Sequence, residues 1–373
     1  MRVLLSGGGT AGHINPAIAI ADLIQKNAPH SAIAFVGTRN GMENHLVAAA
    51  GYPLYHVEVE GLRRSLSPKN MRALWLAATS PKQARHILRE FKPDLVIGTG
   101  GYVCWPLLKA AATMKIPCAL HESNAVPGLT TRRLAPLMDA IWLNFKETAN
   151  LLPKGSVAPV YTGNPLRGDF TTVSREKARL SLGIREEEVL LLSFGGSLGA
   201  EGVNDAMLSF MRGAAKRIPS LHTVHACGRG HYEACRTMFG KNTARAELMP
   251  YIEDMATYMA AADIVLCRAG AMTLSELALC GKCAILVPSP YVAGDHQLKN
   301  AQILANKGAA FLIKEVDLLS NKLEILIKSL VFDPKKRGDC EKTIKSLGKP
   351  DSCQIIWQQI QKIERKHKAE NAK

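Results

Sequence analysis

The chain has 373 residues, 47% of them hydrophobic and 21% charged. That length exceeds what one hydrophobic core ordinarily serves, so two domains are expected; no apolar run approaches the roughly 18–20 residues of a membrane span, and the apolar start meets Gly7 too soon for a secretory signal. A formal net charge of +15 implies an anionic partner, whether nucleic acid, an anionic membrane surface or phosphorylated substrates, and an odd count of nine cysteines reads as reduced thiols.

Val3-Leu-Leu5 reads as the first strand and residues 16–26 as the first helix. Ser6-Gly-Gly-Gly-Thr-Ala-Gly-His13 joins them. Glycines let a backbone turn sharply and approach a ligand. A following helix start offers free N–H groups and the positive end of its dipole, an anion site. The spacing Gly7-x-Gly9-x-x-Gly12 also fits the dinucleotide fingerprint. Residues 32–36 read as strand two. A dehydrogenase needs an acid at the end of that strand, and Phe35-Val-Gly-Thr-Arg39 has none there; Glu43 lies too far along. Arg39 keeps an NADP enzyme possible.

From residue 62 to 92 the cations Arg63, Arg64, Lys69, Arg72, Lys82, Arg85, Arg89 and Lys92 face one acid, Glu90, with Leu66, Met71, Leu74, Trp75 and Leu76 interleaved. Basic residues beside apolar anchors suit the headgroup zone of an anionic membrane. A helix with its apolar side in the core is the other reading, although residues 74–76 in a row cannot all share one face.

Strand 94–97 runs into a second glycine turn, Gly98-Thr-Gly-Gly101. A helix over 106–114, a strand over 117–121 ending in Glu122-Ser-Asn124, and a strand over 140–143 follow. Strands alternating with helices mean parallel β-α-β units, with ligands at the carboxyl ends of the strands. The pattern pauses near Gly163-Asn-Pro-Leu-Arg167. It then repeats its opening move: a strand over 189–193 leads to Phe194-Gly-Gly-Ser-Leu-Gly199. Strands 222–226, 264–267, 284–287 and 310–313 continue a second doubly wound domain. Arg268-Ala-Gly-Ala-Met-Thr273 starts a helix with Glu276 in its first turn, and Asp295-His-Gln297 starts another. The expected division is 1–164 and 165–349, with a helix over 350–366 crossing back to the first domain. Cys280-Gly-Lys-Cys283 sits at the wrong helix end for a redox pair. No second such pair completes a zinc site. With no P-loop and no Asp-x-Asp, the glycine turns point to a diphosphate held by helix dipoles and backbone N–H groups, without a metal or other cofactor.

Seven ordered motifs carry a resemblance: Gly8-Gly-Thr-Ala-Gly-His13, Gly100-Gly-Tyr-Val103, His121-Glu-Ser-Asn124, Gly163-Asn-Pro-Leu-Arg167, Gly195-Gly-Ser-Leu-Gly-Ala200, Cys267-Arg-Ala-Gly-Ala-Met-Thr-Leu-Ser-Glu276 and Asp295-His-Gln297. Over residues 1 to about 310 the chain resembles the MurG family of peptidoglycan N-acetylglucosaminyltransferases, which convert lipid I to lipid II. The resemblance implies the GT-B fold, two Rossmann-like domains facing across a cleft. It also implies inverting transfer of GlcNAc from UDP-GlcNAc to the 4-hydroxyl of MurNAc in an undecaprenyl-diphosphate-linked MurNAc-pentapeptide.

Carried over by residue, the resemblance implies that Glu276 accepts from the uridine ribose hydroxyls and that Ile252 meets the uracil through its backbone. Ala271, Met272 and Thr273 would face the diphosphate, with Ser197 and Arg167 on the nucleotide. Asn124 and Gln297 would bind sugar hydroxyls, with His296 beside them where some relatives have Gln. Thr10, Ala11, Gly12 and His13 would lie near the sugar and the acceptor. Ala11 stands where a third loop glycine is common, so its φ must be ordinary. A sugar hydroxyl needs a general base. His13 is the first candidate, with Glu122 and Tyr102 in reserve. Membrane docking falls to Arg63, Arg64, Leu66, Lys69, Arg72 and Trp75, at the cytoplasmic face of a bacterial membrane, beside other cell-wall enzymes. A related enzyme glycosylating diacylglycerol, an NADP-dependent oxidoreductase and an RNA-binding protein are the alternatives. No RNA module's aromatic signature supports the last, so nucleic acid is not expected as a partner.

Overall fold

The computed structural model describes residues 1–61, 69–167, 170 and 172–371. The chain divides into two compact units, Met1–Arg167 with Lys349–Lys373, and Gly168–Gly348.

The first unit runs β1 (Arg2–Ser6), α1 (Ala11–Asn27), β2 (Ala32–Gly37), α2 (Glu43–Ala49), β3 (Leu54–His56), α3 (Lys69–Phe91), β4 (Leu95–Gly98), α4 (Cys104–Thr113), β5 (Cys118–Glu122), α5 (Leu129–Leu134), β6 (Ala140–Leu143) and β7 (Val160–Tyr161). Among the described residues its sheet has the order β3-β2-β1-β4-β5-β6-β7, with every pairing parallel. A parallel sheet is covered on both faces, so its strands are apolar throughout. Successive side chains of β1 serve opposite faces. Val3 and Leu5 join α1 in one core, whereas Leu4 joins α3 and α4 in the other. The core on the α1 side also takes Ile356 and Ile360 of the last helix, Ser352–Asn371.

In the second unit α6 (Arg175–Ser181) precedes β8 (Val189–Phe194), α7 (Glu201–Arg212), β9 (Leu221–Ala226), α8 (Tyr232–Phe239), β10 (Ala246–Met249), α9 (Met255–Ala261) and β11 (Ile264–Cys267). Then come α10 (Ala271–Cys280), β12 (Cys283–Leu286), α11 (His296–Asn306), β13 (Phe311–Leu312), α12 (Asn321–Phe332) and α13 (Pro334–Ser346). Its sheet, again parallel, has the order β10-β9-β8-β11-β12-β13. In both units the strand order reverses beside the first strand, β1 or β8. Sheets of this type bind ligands at that point, beyond the carboxyl ends of the strands. Both glycine turns lie there.

Two expectations need adjustment. Helix α1 begins at Ala11, with Pro16 inside it, so Thr10 is the N-cap and residues 11–13 form the first turn. Helix α3 reconciles both readings of its stretch. Ala73, Leu76, Ala84, Ile87 and Leu88 are buried, whereas Met71, Leu74 and Trp75 are 75%, 57% and 63% exposed. These two sets occupy different faces at helical spacing.

Candidate functional site

In the first unit the two glycine turns clasp each other. A Cβ at Gly7 would fall 2.4 Å from the His13 carbonyl oxygen, and one at Gly101 2.2 Å from the Gly8 oxygen. Gly100 and Gly101 have φ of 109° and 81°, which glycine adopts without strain. The Thr99 hydroxyl donates to the His13 carbonyl at 2.6 Å and the Thr99 N–H to the Ser6 carbonyl at 2.9 Å. Gly7 and Gly101 are therefore glycines because backbone meets backbone, whereas a Cβ at Gly8 would strike the Val103 side chain and one at Gly100 the His13 ring. Gly12 differs: it is exposed, and a Cβ there would lie 3.7 Å from the nearest atom, the Thr10 hydroxyl oxygen.

This clasp holds His13. Its Nδ1 lies 3.3 Å from the Thr99 carbonyl oxygen. A carbonyl accepts, so Nδ1 carries the hydrogen and Nε2 is the basic nitrogen. Gly100 makes the approach possible, since a Cβ there would sit 2.5 Å from Nδ1. Ala11, in the first turn of α1, has an ordinary φ.

The reserve candidates are placed differently. Glu122 is buried, and both its oxygens serve its own loop. Oε1 accepts from Asn124 N–H and Nδ2, and Oε2 accepts from Gly128 N–H and the Thr131 hydroxyl at 2.6 Å. That network shapes the loop presenting Asn124, and a base would have to break it. Burial first and the nearby Glu43 next raise the Tyr102 pKa, which keeps it a neutral phenol. His121, fully buried, donates from Nε2 to the Gly163 carbonyl at 3.0 Å, and burial lowers its pKa.

Arg167 closes the first unit. Its Nε pairs with Asp22 Oδ2 of α1 at 2.8 Å, and Asp22 also accepts from the Tyr52 hydroxyl. The pair tethers the guanidinium to α1 while about half of the side chain stays exposed. Glu43 is a correction. Although six residues beyond Gly37, it folds back to the end of β2, where its Oε1 accepts from Thr38. At 1% exposure it is closed to a ribose.

The second unit repeats the clasp. Gly199, with φ of 79°, would place a Cβ 2.1 Å from the Cys227 carbonyl oxygen, and Gly228 one 2.7 Å from the Gly199 Cα. Asn204 Nδ2 donates to the same Cys227 carbonyl, and the Asn204 Oδ1 accepts from His225 Nε2 at 3.1 Å. Burial lowers the pKa of His225 to about 4, so it stays neutral. Ser197 projects from this turn and is exposed.

Gly270 caps α10 with no side-chain bond, so Ala271, Met272 and Thr273 form its first turn and carry N–H groups beyond the reach of helical acceptors. Glu276 stands in the second turn rather than the first. Burial alone pushes its pKa up to about 7, and no donor among the described residues offsets that. A carboxylate so placed calls for hydroxyl donors. Arg268 is not one of the anion-facing groups. It forms a buried pair with Glu315 at 2.6 Å and donates to the Val287 and Pro288 carbonyls. The Gln297 Oε1 accepts from Ser289 N–H at 2.9 Å, which leaves the amide NH₂ as the end that would meet a sugar hydroxyl. His296 opens α11 beside it. Ile252 as a whole is buried, 2% exposed, with its side chain in the core of the second unit.

Arg63, Arg64 and Leu66 lie outside the described residues, as does the Lys69 side chain; Arg72 and Trp75 are exposed on α3. All nine cysteines are free thiols, with Cys280 closing α10 and Cys283 opening β12. Among the described residues no group of three or more His, Cys, Asp or Glu side chains is placed to hold a metal ion.

Comparison with known proteins matches these two units. Residues 3–142 match the glycosyltransferase family 28 N-terminal domain and residues 190–354 its C-terminal domain. The UDP-N-acetylglucosamine--N-acetylmuramyl-(pentapeptide) pyrophosphoryl-undecaprenol N-acetylglucosamine transferase of Acetivibrio thermocellus is 41% identical, over 97% of this chain and 98% of its own. The transferase of that name from Caldanaerobacter subterraneus subsp. tengcongensis is 40% identical, over 97% and 100%. The crystal structure of Acinetobacter baumannii MurG superposes with a TM-score of 0.77 at 28% identity, covering 97% of this chain and 99% of that one. With both family 28 domains present and relatives of this identity matched end to end, the chain belongs to the MurG family of GT-B glycosyltransferases.

Proposed function

We propose that this protein transfers GlcNAc from UDP-GlcNAc to the 4-hydroxyl of MurNAc in undecaprenyl-diphosphate-linked MurNAc-pentapeptide, converting lipid I to lipid II with inversion. The observation that carries the donor half is the Glu276 carboxylate in the second turn of α10, which no donor among the described residues meets. The carboxylate takes the paired ribose hydroxyls, and the N–H groups of Ala271, Met272 and Thr273 take the diphosphate. Ser197 adds a hydroxyl from the other turn. As UDP departs, these fixed donors stabilise the charge that develops on it. We extend the proposal to a transfer that needs no bound metal; turnover that persists in excess chelator is expected.

The acceptor half rests on His13. With Nδ1–H engaged by Thr99, Nε2 takes the proton of the 4-hydroxyl as that oxygen attacks the anomeric carbon. Thr10, Ala11 and Gly12 line the same helix start, with Asn124 on the neighbouring loop. Docking on the cytoplasmic, anionic face of the membrane falls to the exposed edge of α3, Met71, Leu74 and Trp75, with Arg72; no helix among the described residues is long and apolar enough to cross a membrane.

Incubation with UDP-GlcNAc and a short-tailed lipid I analogue, followed by product mass analysis, tests the reading. An acceptor heavier by one N-acetylhexosamine is expected. Transfer to diacylglycerol in place of the lipid I analogue would overturn it.

A further inference from the structure

We propose that Ser193, His225 and Asn204 are positioning residues for the nucleotide, acting through the glycine turn that carries Ser197. The inference rests on the reading that this turn meets UDP-GlcNAc. Ser193 stands at the end of β8, just before the turn, and Asn204 is the fourth residue of α7, just after it. His225 lies beside Ser193 on β9. All three are buried within the second unit. They form one line. The Ser193 hydroxyl lies 2.8 Å from His225 Nδ1, and His225 Nε2 lies 3.1 Å from Asn204 Oδ1. Asn204 Nδ2 lies 3.0 Å from the Cys227 carbonyl oxygen.

The carbonyl fixes every direction in this line. It only accepts, so Asn204 turns its NH₂ toward Cys227 and its Oδ1 toward the imidazole. Oδ1 only accepts, so Nε2 carries the hydrogen, and in the neutral ring Nδ1 accepts from the Ser193 hydroxyl. A buried polar network satisfied in this way holds its members in one arrangement. Apolar side chains of the same shape would serve stability as well; what they lack is direction. The line ends on the Cys227 carbonyl, and that carbonyl is the floor of the turn. A Cβ at Gly199 would fall 2.1 Å from its oxygen, and one at Gly228 2.7 Å from the Leu198 carbonyl oxygen. The Gly199 N–H closes the turn on the Gly196 carbonyl at 3.0 Å. Ser197, two residues before Gly199, is exposed. The buried line thus sets the height at which Ser197 and the neighbouring backbone are offered to the nucleotide.

Titration calorimetry of the full chain with UDP, alongside steady-state kinetics with a short-tailed lipid I analogue, tests this. Asn204→Leu is close in size and removes both of its hydrogen bonds. The Kd for UDP is expected to rise about 5- to 10-fold, with the KM for the acceptor within about twofold. Because the three residues act as one line, adding Ser193→Ala to Asn204→Leu should cost less than the product of the two single losses. Leu330→Ala, a truncation in the core of the same unit, lowers Tm by another route and should leave the Kd for UDP within about twofold. An unchanged Kd in Asn204→Leu, an equal loss of acceptor affinity, losses that multiply in the double variant, or a Kd that rises as much in Leu330→Ala would each overturn the inference. Should Asn204→Leu not fold, Ser193→Ala alone is expected to raise the Kd at least about twofold, and an unchanged value there overturns it equally. Failure of the wild-type protein to bind UDP would instead remove the reading on which the inference rests.

Discussion

His13 owes its chemical polarity to one backbone carbonyl, and that carbonyl is reachable because residue 100 is glycine. His13→Ala should lower kcat at least about 100-fold while leaving the KM for UDP-GlcNAc unchanged; a loss of only a few-fold would reduce His13 to a binding role. Gly12 gives a sharper contrast. Alanine fits its open space and favours a helix by about 0.5–1 kcal/mol, so Gly12→Ala should hold or raise Tm while the acceptor KM rises. Gly100→Ala should lower Tm instead, and calorimetry separates the two. Glu276 predicts a pH dependence. Its pKa near 7 in the free protein means the carboxylate form, which the ribose hydroxyls need, fades as pH falls through 7. Between pH 8 and pH 6 the Kd for UDP-GlcNAc should rise about tenfold, and Glu276→Gln should flatten that profile. The stability effect has the opposite sign. A folded pKa raised above its unfolded value favours the fold below about pH 4.5, and that contribution is lost as pH rises through 7. Glu276→Gln should therefore stabilise the unliganded protein at pH 8 by about 1–3 kcal/mol while weakening nucleotide binding. The glycine turns stand out from spacing, and His13 and Glu276 from the motifs that carry the family resemblance. The return of Glu43 and the pairing of Arg167 with Asp22 do not, because each depends on what the fold brings beside it.

At the scale of elements, α3 carries two apolar faces for two purposes. Ala73, Leu76 and Leu88 join the core, and the Trp105 indole N–H of α4 donates to the Ala77 carbonyl at 2.8 Å, fixing the rotation of the helix. That rotation leaves Met71, Leu74 and Trp75 on the surface as a separate edge. The run of apolar residues at 74–76 signalled that one face could not absorb them all; which of them the core takes follows from α4. Trp75→Glu should cut sedimentation with anionic vesicles several-fold and leave turnover of a soluble, short-tailed acceptor within about twofold. Equal loss with the soluble acceptor would make Trp75 part of the acceptor site. The strands that escaped sequence reading, β3, β7 and β10, have two to four residues each. A stretch so short carries no periodicity of its own and becomes a strand because a neighbouring edge is waiting for it. The displacement of Glu276 to the second turn of α10 has a similar origin: the helix begins at Ala271, where Gly270 ends the loop, and not at Thr273.

For the whole molecule, the repetition of one move explains why so much was legible: an apolar strand, a glycine turn and a helix occur at β1 and again at β8, and each seeds a parallel sheet of Rossmann order. The two turns differ in their surroundings: the first packs around the His13 ring, and the second belongs to the unit in which α10 carries Glu276. The net charge of +15 belongs to this scale as well, since it acts through the summed field and not through any one contact. Surface attraction to anionic headgroups is screened within a Debye length of about 8 Å at physiological salt. The contacts proposed for Glu276 are short and partly buried, and salt reaches them far less. The two functions should therefore separate on a salt titration. Raising NaCl from about 50 mM to about 500 mM should release the protein from vesicles rich in anionic lipid, and vesicles of zwitterionic lipid should bind it weakly throughout. Over the same range the KM for UDP-GlcNAc should move less than about threefold with a soluble acceptor. Binding to anionic vesicles that ignores salt would assign docking to the apolar edge of Met71, Leu74 and Trp75 alone, and the charge would then have to be explained by the anionic substrates.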